Sequence, residues 1–114
     1  MGEFFSEKQE FDVIFLDDDE LGVIKDIPSR GSRPCVVVEI GSDEDDYAVV
    51  AMLSSRDSYD HSKYRLSFGS YLTIDHIETK TITKAQLNFA QLAENKILSD
   101  EDVRTVDQYY NNRF

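Results

Sequence analysis

Between residues 11 and 82 the apolar positions come in short runs, each closed by a polar or turn-forming stretch. FDVIFLD at 11–17 is β-branched and aromatic and runs into DDDE, the pattern of a strand followed by a loop. LGVIKDI at 21–27, broken by Gly22, reads as a short return strand, and Pro28 with SRGS makes a loop. Pro34–Ile40 is a buried strand; its proline, which has no N–H for a ladder, belongs at an edge or at the first position. GSDEDD turns the chain into YAVVAML at 47–53, an antiparallel neighbour. Ser54–Ser62 is polar and loop-like, Tyr64–Phe68 and Tyr71–Ile74 are short strands around Gly69-Ser70, and Ile77–Ile82 alternates weakly, with Thr79 and Thr81 favouring strand.

The period then changes. In Lys84–Asn95 the apolar residues Ala85, Leu87, Phe89, Ala90, Leu92 and Ala93 fit either a helix or a strand–loop piece. The final segment is clearer: Ser99 is placed to cap a helix, Asp100–Asp102 suit its N-terminus, and Val103, Val106, Tyr109 and Tyr110 form an apolar stripe. Several short antiparallel strands with a C-terminal helix give a mainly β (α+β) chain and suggest a small barrel. The 114 residues carry no internal repeat or low-complexity linker and read as one domain, 1–114, with 1–10 as an N-terminal extension.

Composition agrees with a globular chain, at 40% hydrophobic and 11% aromatic residues. No apolar run approaches the ~18 residues that a membrane span needs. The opening MGEFFSEKQEF lacks a basic region followed by a long apolar one, so a cytoplasmic protein is expected. Its Met-Gly with Ser6 matches the myristoylation pattern only in part, and that pattern is short enough to match by chance. Cys35 is the single cysteine and sits in RPCVVV as a small core residue, with no base tied to it by a local motif. His61 and His76 lack a paired metal-ligand spacing and read as surface residues, each with acid–base chemistry as its functional alternative. DDDE at 17–20 and DEDD at 43–46 lack the spacing of a calcium loop and read as solvated turns. No cofactor or metal is expected.

The formal net charge is −11, from 23 acidic and 12 basic side chains, which disfavours generic binding to nucleic acid. The cations are nevertheless gathered. Residues 27–38 hold Arg30 and Arg33 without an acid, and residues 47–74 hold Arg56, Lys63 and Arg65 against Asp57 and Asp60. Ser54 and Ser55, at the end of a strand, either close a turn or offer hydroxyls to a phosphate. Asp75 lies between Ile74 and Ile77 and reads either as a turn cap or as a partly desolvated acid or base.

The order FDVIFLD, GSRPCVVVEI, VVAMLSS and TIDHIETKTITKAQL resembles the MazF/PemK/Kid family of toxin–antitoxin endoribonucleases, whose strands read like GDVVLVD, RPxVVV and a segment ending PLTS, followed by a DQIRTID-like segment. The likeness spans about residues 11–110, and RPCVVV is its most specific part. It implies an SH3-like antiparallel barrel with a C-terminal helix, commonly a homodimer. It also implies metal-independent cleavage of single-stranded RNA, with the ribose 2′-hydroxyl attacking to leave a cyclic phosphate. The family arginine falls on Arg33, to donate to phosphate or protonate the leaving group, and the family threonine on Ser54, with Ser55 its neighbour. An acid used as base in some members falls near Asp75. Arg30, Arg56, Lys63 and Arg65 would contact RNA phosphates, and a cognate antitoxin would occupy the RNA groove. Thr73 stands where some members carry arginine, and HIETKTITKAQL is longer than the usual form. With the acidic charge, these departures keep two alternatives open: a non-catalytic interaction protein of the same fold that binds a basic partner, and a toxin acting on a protein such as a topoisomerase.

Overall fold

The computed structural model describes residues 8–17, 32–54, 62–74 and 77–111. Strands β1 (Val13–Asp17), β2 (Ser32–Ile40), β3 (Ala48–Met52), β4 (Lys63–Arg65), β5 (Tyr71–Thr73) and β6 (Thr79–Ile82) are followed by helix α1 (Lys84–Phe89), strand β7 (Gln91–Leu92) and helix α2 (Asp100–Asn111). Five strands form one antiparallel sheet in the order β6-β3-β2-β1-β7, and β4 and β5 form a hairpin. The protein is therefore mainly β with a C-terminal helix, as the sequence pattern predicts. Among the described residues neither sheet returns on itself to close a barrel, and β6 and β7 stand at the two edges of the larger one. The strand expected over 21–27 lies outside the described residues.

The unbroken apolar run in β2 follows from burial on both faces of the central strands. One face packs Val13, Val36, Val38, Ala51 and Leu53 against α2, through Val106 and Tyr110, and against Leu66 and Leu72 of the hairpin region. The other packs Ile14, Leu16, Cys35, Val37, Ala48, Val50 and Ile82 against Leu87 of α1. Cys35 is fully buried, as expected, and its S–H points to the Arg33 carbonyl at 3.5 Å.

Alternation in β2 is interrupted once. The pairing with β3 runs from Val37↔Val50 directly to Glu39↔Val49, so Val38 is an extra residue, a β-bulge. Strict alternation would send Glu39 into the apolar α1 face beside Cys35 and Val37. With the bulge it turns to the α2 face, where Tyr110 Oη donates to Oε1 at 2.6 Å and Tyr47 Oη to Oε2 at 2.7 Å. That carboxylate accounts for the raised Tyr47 pKa, through the hydrogen bond first and its charge second.

Pro34 is the third residue of a central strand, not the first residue or an edge position. Its carbonyl accepts from Leu53 N–H at 3.1 Å, so its nitrogen also faces the β3 side. The missing donor thus falls just past Met52, where β3 ends, and costs no ladder bond within the strand. Lys84–Asn95 takes both forms read from its pattern. Thr83 and Gln86 make a capping box that starts α1, and extended backbone at Ala90 (ψ 144°) stops the helix and begins β7.

Candidate functional site

Antiparallel register decides which predicted residues meet. β2 and β3 pair through Cys35↔Met52, and Leu53 N–H continues the ladder to Pro34 O. The next facing pair in that register is Arg33 and Ser54. On its other side Ser54 bridges Tyr71 through two backbone bonds, 2.9 Å and 2.8 Å, and Tyr71 pairs with Arg65. Arg33, Ser54, Tyr71 and Arg65 therefore make one row across four neighbouring strand segments, with facing Cα atoms about 4.5–5.5 Å apart. Facing residues share a sheet face. This row lies opposite Leu53 and Leu72, which point into the α2-side core. Arg33, Ser54 and Tyr71 are half-buried and Arg65 is exposed.

Two residues along, Lys63 faces Thr73 on the same side and donates to its hydroxyl at 2.8 Å. Thr73 is buried, so at the position where some members of the resembled family carry an arginine this chain holds a short side chain that anchors a lysine. The described surface at this end of the sheet thus gathers three cations, two hydroxyls and one phenol. It is a chemical set for holding a phosphodiester and its attached bases. Asp75, Arg30, Ser55 and Arg56, with His61 and His76, lie outside the described residues.

The sequence places Tyr71 in a strand and gives it no site role. Alternation with buried Leu72 puts it outward, but only the bridge to Ser54 brings it beside Arg33.

The acid runs do structural work. Asp46 accepts the Lys84 N–H at 3.0 Å, Asp45 accepts the Ser42 hydroxyl at 2.8 Å, and Lys84 Nζ reaches back to Ser42 O. Asp102 lies in the first turn of α2, as its sequence position suits, but is only 1% exposed. Its Oδ2 accepts from Ser67 Oγ at 2.6 Å, Ser67 N–H at 3.0 Å and Ser99 N–H at 3.2 Å, and its Oδ1 from Tyr64 Oη at 3.0 Å. Burial alone would raise its pKa. The bonds from Ser67, Ser99 and Tyr64 outweigh burial and hold the carboxyl below its ordinary range. Three of the four bonds, from Tyr64 and Ser67, tie α2 to the β4–β5 region, and the fourth closes its own N-terminus at Ser99, which makes Asp102 a structural anchor. Among the described residues no group of three or more His, Cys, Asp or Glu side chains is disposed to hold a metal ion, and no helix is long and apolar enough to cross a membrane. Comparison with protein-family models finds no match, and comparison with curated proteins finds no relative.

Proposed function

We propose that the chain is a MazF/PemK-like endoribonuclease, the toxin of a type II toxin–antitoxin pair acting in the cytoplasm. The observation that carries this reading is the row Arg33–Ser54–Tyr71–Arg65, which joins the two motif residues of the resemblance across one sheet face of an otherwise acidic chain. In this mechanism the ribose 2′-hydroxyl attacks the adjacent phosphorus, with Asp75 as base. Arg33 donates its forked N–H groups to the phosphorane oxygens and supplies the proton for the leaving 5′-oxygen. Ser54 donates a hydroxyl to the same phosphate. Arg65 and Lys63 neutralise flanking phosphates, along with Arg30, Arg56 and the hydroxyl of Ser55. Tyr71 offers a ring on which an unpaired base can stack. An SH3-like barrel, a homodimer and an antitoxin lying in the same groove belong to the same proposal.

The test is incubation of purified protein with single-stranded RNA in the presence of EDTA. Wild type is expected to cleave, leaving a cyclic phosphate, and Arg33→Ala to lose at least about a hundredfold in rate with an unchanged circular dichroism spectrum. Equal cleavage by the two refutes the assignment. The net charge of −11 favours a second reading, an interaction protein of this fold that binds a basic partner. Absence of cleavage by wild type supports it, whereas growth arrest without cleavage points to a protein target.

A further inference from the structure

The stretch 62–74, which forms the β4–β5 hairpin, holds Lys63 and Arg65 and no acid, in a chain where acids outnumber bases 23 to 12. Alternation divides the hairpin in two. Tyr64 and Leu72 face α2, where Leu72 is buried and Tyr64 Oη donates to Asp102. Lys63, Arg65, Tyr71 and Thr73 share the opposite face, with Arg65 exposed and Lys63 and Tyr71 half-buried.

The register of that face is fixed from both ends. The turn closes on a bond of 2.8 Å from Leu66 N–H to Ser70 O, and Gly69 takes the φ of 98° that the turn needs. At the open end Ile74 N–H donates to Ser62 O at 3.0 Å. Lys63 therefore stays opposite Thr73, and Arg65 opposite Tyr71. Lys63 is held as well as placed. The Thr73 hydroxyl, on a residue only 8% exposed, accepts from its Nζ at 2.8 Å. A flexible four-carbon stem is thereby ordered before any ligand arrives, and the ammonium keeps two further N–H groups for that ligand. Arg65 and Lys63 are two residues apart on one strand, about 6.6–6.8 Å, close to the separation of neighbouring phosphates in an extended single strand. A nucleic-acid backbone laid along β4 throws its base sideways over β5, where Tyr71 stands opposite Arg65.

We infer that this hairpin face seats two successive phosphates of an unpaired strand on Arg65 and Lys63, stacks the base between them on Tyr71, and uses Thr73 to position Lys63. This deepens the ribonuclease reading, on which it rests for taking the anion to be nucleic acid. The substrate is then a single strand that runs on past the two nucleotides joined at the cut, from Arg33 and Ser54 onto the hairpin. The two cations alone would also suit an extended acidic peptide, whose alternate side chains have the same spacing. The ring selects the nucleic acid, and it requires an unpaired base.

The probe is a fluorescein-labelled tetramer of 2′-O-methyl adenylate, which has no free 2′-hydroxyl to attack and so is bound without being cut. It is titrated into the full chain by anisotropy at several salt concentrations. Lys63→Ala is expected to weaken binding about tenfold and to lower the slope of log K against log salt by about 0.7, one phosphate contact of a single strand. Thr73→Val moves no charge. It should weaken binding about threefold with the slope unchanged, and Thr73→Ser should restore wild-type affinity. Tyr71→Ala should lose about tenfold on this probe and nothing on a tetramer lacking its bases. Arg104→Ala, at an exposed position of α2 across the sheet, should change affinity less than about twofold. Equal weakening by Arg104→Ala and Lys63→Ala would show a general effect of charge and overturn the proposal. So would equal binding of the tetramer without bases, equal binding of a peptide of alternating glutamate and glycine, or no binding by wild type at the lowest salt. The two readings fail separately. Cleavage of RNA by wild type without these binding effects removes the hairpin surface and leaves the ribonuclease; the binding effects without cleavage do the reverse.

Discussion

Replacing Asp102 probes the packing of α2 on the hairpin. The Asp102→Ala variant removes an acceptor that takes four hydrogen bonds at 2.6–3.2 Å, from Tyr64, Ser67 twice, and Ser99. Hydrogen bonds to charged groups contribute about 1.5–3 kcal/mol each when measured singly, but they are not additive. Ser67 and Ser99 are exposed enough for water to replace the lost partner at their N–H groups. The expected loss is therefore about 2–4 kcal/mol, against a total of roughly 6–17 kcal/mol for a domain of this length. At about 4 °C per kcal/mol, that lowers Tm by roughly 8–16 °C. Asp102→Asn keeps one oxygen for the three donors on the Oδ2 side, and the Tyr64 hydroxyl can rotate to accept from the new amide. It should lose only about 1–2 kcal/mol, chiefly the charge assistance. The pH dependence fixes the sign. The folded-state pKa lies below 3.8, so the ionised form favours folding. This contribution is complete above the unfolded pKa and disappears as pH falls through the folded value. The stability gap between wild type and Asp102→Asn should then be widest near neutrality and narrow on the acid side of pH 4, in urea titrations followed by circular dichroism. An Asp102→Ala protein melting within about 3 °C of wild type, or a gap that stays constant into acid, would show that this carboxylate does not anchor the helix.

Other outcomes follow from the Glu39 clamp and its neighbours. Tyr110→Phe removes the 2.6 Å bond to Glu39 from a nearly buried ring and should lower stability by about 1–2 kcal/mol in urea unfolding. Tyr47→Phe, at a more open position, should lower it less. A Cβ at Gly41 would lie 2.7 Å and 2.8 Å from atoms of the Tyr47 ring and 3.0 Å from the Asp45 Cβ, so Gly41→Ala should destabilise by about 1–3 kcal/mol. The cost should fall when Tyr47→Ala is added, a coupling that a double-mutant cycle measures.

How much of this was legible in the sequence depends on how far apart the interacting residues lie. Ser99 announces the start of α2 through local chemistry, and its hydroxyl does accept the Asp102 N–H at 3.1 Å. The burial of Asp102 was not legible, because its partners Tyr64 and Ser67 lie 38 and 35 residues away and an acid in a first helical turn is ordinarily solvated. Arg33 and Ser54 stood out through their motifs. Tyr71 joins them by a bridge that only tertiary register creates. Pro34 misled for the same reason: its fitness for a central strand rests on where β3 happens to end. The short strands that fall within the described residues were read with the right type and order, but closure is a property of how edges meet, and period-two patterning carries no signal for it.

The bulge at Val38 has a consequence for the length of the chain. Because residues 36–38 are three identical valines, removing any one of them gives the same protein, and what remains alternates regularly. Cys35 and the second valine keep the α1 face, while the first valine and the glutamate keep the α2 face. A one-residue deletion in a buried strand normally turns every later side chain inside out. Here it should erase the bulge and leave both halves in phase, at a cost of about 1.5–3 kcal/mol for one lost buried valine. A strand at the centre of the sheet is thus a place where the backbone can shorten by a residue without changing what faces where.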